Sequence, residues 1–81
     1  MDNNTEKTLD KETSNRITFI TFMIPYFANT YHMTIPDAFD YLEKYGGLDF
    51  MFEHWWALHT DNAAWTAHDI YEYCHKNGAP R

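Results

Sequence analysis

The stretch YLEKYGGLDFMFEHWWALHT, residues 41–60, decides how this chain folds. It contains the only adjacent pair of glycines, Gly46 and Gly47, between two segments whose apolar residues recur at helical spacing. Glycine commonly ends a helix because it adopts the left-handed backbone conformation without steric cost. The stretch therefore predicts two helices joined by a tight turn, and we expect the rest of the chain to pack around them.

The helix before the glycine pair has a clear start signal. Thr34 is a capping hydroxyl, Pro36 suits the first turn, and Asp37 favours the positive end of a helix. We predict that this helix runs to about Tyr45. Its predicted inward face consists of Ala38, Leu42 and Tyr45.

The segment after the glycine pair predicts a short, very apolar third helix from about residue 48. Its predicted inward side consists of Leu48, Met51, Phe52, Trp55 and Leu58. Trp56 lies off that side, because neighbouring helical residues diverge, and is expected to cover a second core surface or to be an exposed contact residue. Asp61 is the predicted N-cap of a last helix over about residues 63–76.

The first helix is indicated by apolar residues spaced along one helical face. These residues are Ile17, Ile20, Ile24, Phe27 and Tyr31. Thr13 or Ser14 is the predicted cap. Pro25 interrupts the pattern, and since proline lacks an N–H and clashes with the preceding turn, the helix is predicted to be kinked or split there.

These elements predict an all-α fold, a compact bundle of about four helices. Residues 1–12 are expected to be a disordered leader, residues 13–78 a single helical domain and residues 79–81 a tail. The chain has 81 residues, of which 19% are aromatic, so that large rings compensate for the small size of the core.

Charge and composition limit the partners. With 12 acidic against 6 basic residues the net charge is -6, which argues against nucleic acid and favours a basic protein partner. The first residues lack a signal-peptide core, and no apolar run approaches the roughly 18 residues of a membrane span. The expected location is the cytoplasm. The single cysteine, Cys74, cannot form an internal disulfide and is expected to be a buried thiol.

Five histidines suggest a metal site. They are His32, His54, His59, His68 and His75. A cluster of His54, His59 and His68, with Glu53 or Asp69 as an oxygen ligand, is one hypothesis. His54 and His59 are five positions apart, which does not fit the HExxH spacing, and partly exposed imidazoles that bond to carbonyls are the alternative.

No catalytic constellation is apparent. Cys74 and His75 are consecutive, so on a helix they point about 100° apart and cannot share a proton. We therefore expect neither an enzyme nor a cofactor.

The segments ITFITFMIPYF, PDAFDYLEKYGGLDFMFEHWWALHT and HDIYEY resemble the bacterial domain-of-unknown-function family 3791. The resemblance covers about residues 17–73 and rests on a Tyr-Gly turn at Tyr45-Gly46, on Leu58-His59-Thr60 and on Asp69-Ile70. The chain departs from the family pattern at Met23-Ile24-Pro25 and at the paired Trp55-Trp56.

The resemblance implies a small helical protein with no established activity. Genes of the family often lie beside genes for ADP-ribosyltransferase-like proteins, which implies an antitoxin-like or partner role. We predict a protein-interaction module whose contact residues are Trp56, His59, Thr60 and His68, because Trp56 lies off the apolar side of its helix and a polar His-Thr segment stands between two apolar helices. A homodimer that covers surplus apolar surface is the other expected form of partner. The alternative function is a metal- or small-ligand-binding protein that uses the histidine cluster.

Overall fold

The computed structural model describes residues 10–80 of the chain. Over this range the chain forms four helices, α1 (Lys11–Thr30), α2 (Ile35–Lys44), α3 (Gly47–His59) and α4 (Ala63–Lys76). No strand occurs within residues 10–80. The predicted all-α bundle of about four helices is confirmed. None of the helices described is both long and apolar enough to cross a membrane.

The start of α1 lies earlier than predicted. Asp10 is the N-cap, and its carboxylate accepts a hydrogen bond from the backbone N–H of Thr13 at 2.7 Å. Thr13 and Ser14, the predicted caps, are inside the helix. The predicted leader falls mostly on residues outside the described range, and the division into leader, domain and tail stays a prediction. Ala79, within the predicted tail, is 2% exposed and belongs to the core.

The caps of the later helices follow local signals. Thr34 accepts a hydrogen bond from the N–H of Asp37 at 3.2 Å, as predicted. Asn62 caps α4 by accepting from the N–H of Ala64 at 2.8 Å, so the predicted cap Asp61 is wrong by one residue. Both side chains supply the acceptor that the first turn of a helix lacks.

Helix α1 passes through Pro25 without dividing into two helices, and the predicted kink there stays a prediction. Its buried residues are Met23, Phe27 and Ala28, all in its second half. In the first half, Ile17 of the predicted inward face is 42% exposed. The N-terminal half of α1 is therefore attached to the bundle by partly buried side chains alone.

The glycine pair lies where α2, α3 and α4 pack against one another. Gly46 has a φ of 82°, the left-handed conformation that the sequence predicts for a helix end. Gly47 is buried, and a Cβ atom at this position would lie 2.6 Å from Cδ2 of Leu42 and 3.0 Å from Sγ of Cys74. The missing side chain lets α3 start against both α2 and α4. The buried core consists of Met23, Phe27, Ala28, Ala38, Leu42, Met51, Leu58, Ala67, Ile70, Cys74 and Ala79.

Helix α3 is irregular at His54, which the sequence did not predict. His54 has φ -109° and ψ 20°, outside the helical region, and marks a kink between two helical parts. The break divides α3 into a first part that follows the glycine pair and a second part, residues 55–59. This second part carries the side chains of the site described next.

Candidate functional site

Arg16 of α1 contacts α3 beside the break at His54. The guanidinium of Arg16 donates a hydrogen bond to the backbone carbonyl of Phe52, and its other nitrogen lies 2.6 Å from the carboxylate of Glu12. The same group lies 5.0 Å from the ring centroid of Phe52 and 5.9 Å from that of Trp55. An interrupted helix leaves backbone carbonyls in need of donors, and Arg16 supplies one. The contact therefore fixes where residues 55–59 lie against α1.

Three rings form a cluster at the second part of α3. The imidazole of His59 stacks on Trp55 with centroids 4.4 Å apart and planes at 26°. Trp56 meets Trp55 edge to face at 5.6 Å and 82°, and its centroid lies 5.1 Å from that of His59. Trp55 is 8% exposed, whereas Trp56 is 68% exposed. One tryptophan thus anchors the cluster and the other faces solvent.

The tautomer of His59 follows from its hydrogen bond. Its Nδ1 lies 2.9 Å from the carbonyl oxygen of Trp55. A carbonyl only accepts, so Nδ1 carries the hydrogen, and in the neutral ring Nε2 is left as an acceptor. The cluster therefore combines two indole rings with one hydrogen-bond acceptor.

A groove of about 450 Å³ lies between residues 15–22 of α1 and the second part of α3. Its lining residues are Asn15, Thr18, Phe19 and Phe22 from α1, and Trp55, Trp56 and His59 from α3. We call it the α1/α3 groove. Phe22, at 55% exposure, and Trp56 leave large apolar surfaces open to solvent. Such a concave, mainly apolar site with a few polar groups is typical of binding surfaces.

The predicted contact residues are placed unequally by the structure. Trp56 and His59 both line the α1/α3 groove. Thr60 follows at the end of α3, where its hydroxyl donates to the carbonyl of Ala57 at 2.9 Å, and it is not among the lining residues. His68 lies on α4, where its Nε2 is 3.6 Å from the carboxylate of Glu72, and it also lies outside the groove lining.

The predicted histidine metal cluster is wrong. Within residues 10–80 no three His, Cys, Asp or Glu side chains lie close enough together to hold a metal ion. The ring of His54 packs on Phe50 at 5.1 Å, while His59 is stacked on Trp55 and His68 faces Glu72. Each imidazole is thus held by a neighbour on its own helix.

The predicted buried thiol is confirmed. Cys74 is 0% exposed, and burial raises its pKa to about 11, although a hydrogen bond from the N–H of Gly47 opposes the shift. Burial also raises the pKa of Tyr41 to about 12, with smaller contributions from neighbouring ionisable groups such as Cys74. Both groups are therefore neutral at physiological pH, and neither lines the α1/α3 groove.

The α1 wall of the groove was not predicted. Asn15, Thr18 and Phe22 lie off the apolar face proposed for α1, so the periodicity that identifies core residues passes over them. Their own spacing of three and four residues was the available signal, since it places them on a second face of the same helix. The contact between Arg16 and Phe52 carried no local signal, because the two residues are 36 positions apart.

Comparisons with known proteins place the chain in a family but give no activity. No curated protein and no solved structure shows significant similarity to it. A family model described as "Protein of unknown function (DUF3791)" matches residues 18–77. This match includes Trp55, Trp56 and His59 and begins just after Asn15 and Arg16. Since it covers most of the chain, the protein belongs to the DUF3791 family of proteins of unknown function.

Proposed function

We propose that the protein is a protein-interaction module whose docking surface is the α1/α3 groove. The observation that carries the proposal is the 68% exposure of Trp56 on a groove that also exposes Phe22. Exposed indole rings beside a pocket are typical of the few residues that supply most of the binding energy of an interface.

Two features make the groove suited to a protein partner. Trp55 is fixed, because it is 8% exposed, stacks on the imidazole of His59 at 4.4 Å and has the guanidinium of Arg16 at 5.9 Å. A preorganised aromatic site loses little side-chain freedom on binding. The free Nε2 of His59 supplies a hydrogen-bond acceptor that orients a partner within an otherwise apolar surface.

The proposed contact residues are Trp56 and His59 within the groove, with Thr60 and His68 as outer contacts. Both outer residues are exposed, which supports their inclusion. The proposed partner is an ADP-ribosyltransferase-like protein, and the proposed role is antitoxin-like in the cytoplasm. That partner rests on the family association alone, whereas the docking surface rests on the exposed rings.

The test is the mass of the complex in solution. We would measure light scattering for the protein alone and after co-expression with the product of the neighbouring gene. The expected result is a stable complex that Trp56→Ala weakens by at least about tenfold, the usual scale of a central aromatic contact.

Trp65→Ala is the matched control, because Trp65 is 67% exposed but does not line the groove. Circular dichroism would establish that both variants fold. A protein that stays alone with its neighbour present, or a complex weakened by Trp65→Ala and not by Trp56→Ala, contradicts the proposal.

A further inference from the structure

The α1 wall of the groove determines the shape of an occupant. Asn15, Thr18, Phe19 and Phe22 are spaced i, i+3, i+4 and i+7, so they follow two helical turns over about 10 Å. The opposite wall is the second part of α3. Two helices side by side leave a channel into which the side chains of a third helix pack, and within residues 10–80 there is no strand edge to receive an extended peptide.

The charge around the groove indicates the sign of the charge that an occupant should carry. Exposed carboxylates flank both walls along the chain, at Glu12 three positions before Asn15, at Glu53 three positions before Trp56, and at Asp61 after α3. Arg16 is already engaged by Glu12 and by the carbonyl of Phe52. Lys11 contributes one opposing charge at the start of α1. The chain as a whole carries -6, so a second copy would meet repulsion and a basic partner would meet attraction.

Of the two indole rings of the groove, that of Trp56 remains open to a cation. Trp55 has His59 stacked at 4.4 Å and the guanidinium of Arg16 at 5.9 Å, so its surroundings are filled. Trp56 is mostly in solvent. An indole face is the strongest aromatic partner for an ammonium or guanidinium group.

We propose that the occupant of the α1/α3 groove is a basic amphipathic helix of a partner protein. Its apolar side chains, spaced i, i+3 or i+4, and i+7, enter the groove between Phe22 and Trp56, and a lysine or arginine beside them lies over the ring of Trp56. The inference rests on the proposed function and adds the secondary structure and the charge of the partner.

The test selects peptides against the full chain. The library contains peptides of about 18 residues, or five helical turns. Apolar residues are varied at positions on one helical face. At the other positions, one half of the library has alanine with lysine and arginine, and the other half has alanine with glutamate and aspartate. We expect binders from the basic half, with apolar residues at helical spacing and affinities that fall as salt is raised.

Isothermal titration of the best basic peptide then locates the site. Trp56→Ala is expected to weaken its binding at least about tenfold and Trp65→Ala less than about twofold. A scrambled peptide of the same composition, with its apolar residues dispersed around the helix, is expected to bind at least about tenfold more weakly.

Four results overturn the inference. They are selection from the acidic half, equal binding of the scrambled peptide, absence of binders in both halves, and a homodimer that Trp56→Ala dissociates. Selection from the acidic half does not contradict the proposed function if Trp56→Ala abolishes binding of the acidic peptide. In that case the groove is still an interface, and only the charge of the partner was inferred wrongly. The proposed function itself is decided by the co-expression measurement, which needs no peptide.

Discussion

At residue scale, Tyr41 has an unusual environment for a polar group. Its hydroxyl is buried, and it is the one buried side-chain nitrogen or oxygen within residues 10–80 that has no hydrogen-bond partner. The ring itself is well placed, with centroids 5.8 Å from Phe27 and 5.2 Å from Tyr45. The ring stabilises the core, whereas the hydroxyl loses its hydration without compensation.

We predict that Tyr41→Phe raises the free energy of unfolding by about 1 kcal/mol at pH 7, because the variant keeps the ring and removes the unpaired hydroxyl. The gain is expected to grow between pH 10 and pH 12. In the wild type the unfolded chain ionises Tyr41 near its ordinary pKa of 10.0, whereas the folded chain holds the proton until about 12, so stability is lost as pH rises through this window. Urea unfolding at several pH values measures both effects.

Tyr26→Phe is the control, since Tyr26 is partly buried like Tyr41 but its hydroxyl is not among the buried unpaired groups. Its effect is expected to stay within about 0.5 kcal/mol at pH 7. A Tyr41→Phe variant that is less stable than the wild type at pH 7 would show that the hydroxyl has a partner in solution.

At the scale of the element, the position of the second part of α3 depends on a residue of α1. Arg16 donates to the carbonyl of Phe52 beside the break at His54. Arg16→Met keeps the apolar stem and removes every donor. We predict a loss of about 1–2 kcal/mol in the free energy of unfolding, because the hydrogen bond involves a charged donor and a carbonyl beside a helix break. Urea unfolding measures it.

Glu12→Gln separates this hydrogen bond from the ion pair. The side chain of Glu12 is 64% exposed, so its pairing with Arg16 is expected to contribute less than about 0.5 kcal/mol. If Glu12→Gln lowered the free energy of unfolding as much as Arg16→Met does, the ion pair, and not the hydrogen bond to the carbonyl of Phe52, would hold α3 in place.

The start of α2 and the break in α3 show which features of a helix the sequence could predict and which it could not. The start of α2 was predicted because Thr34, Pro36 and Asp37 are local signals that act within one turn. The break at His54 was not predicted, because no proline or glycine stands there and the donor that compensates it is 36 positions away. Pro25, the obvious local signal, lies within a continuous α1.

At the scale of the molecule, burial is uneven along α1. Its buried residues are Met23, Phe27 and Ala28, all in the second half, whereas Ile17 in the first half is 42% exposed. We predict that amides of residues 13–20 exchange hydrogen at least about tenfold faster than those of residues 26–30, because opening the first half sacrifices little buried surface. Hydrogen exchange read by NMR measures this difference for each amide.

Equal protection along the whole of α1 would contradict the prediction. Binding of a partner in the groove gives a second comparison in the same experiment. Since Asn15, Thr18 and Phe22 form one wall, an occupant is expected to slow exchange at residues 15–22 and to leave residues 26–30 unchanged.

The candidate site was predictable only in part. Trp56 was identified because it lies off the apolar side of α3, and this reasoning uses α3 alone. The prediction of a metal cluster was wrong because it depended on the directions in which the histidines of α3 and α4 point. His68 in fact faces Glu72 on its own helix. The α1 wall was missed for the same reason, since the sequence does not state which face of one helix meets another.

The burial of Cys74 also has a practical consequence for labelling. It is the only cysteine in the chain, it is 0% exposed, and its pKa is raised to about 11, so little thiolate is present near neutral pH to attack a maleimide. A cysteine introduced on the surface, for example at Ser14, would then be the one reactive thiol of the native protein. A fluorophore or spin label could be placed beside the α1/α3 groove while Cys74 keeps its packing against Gly47.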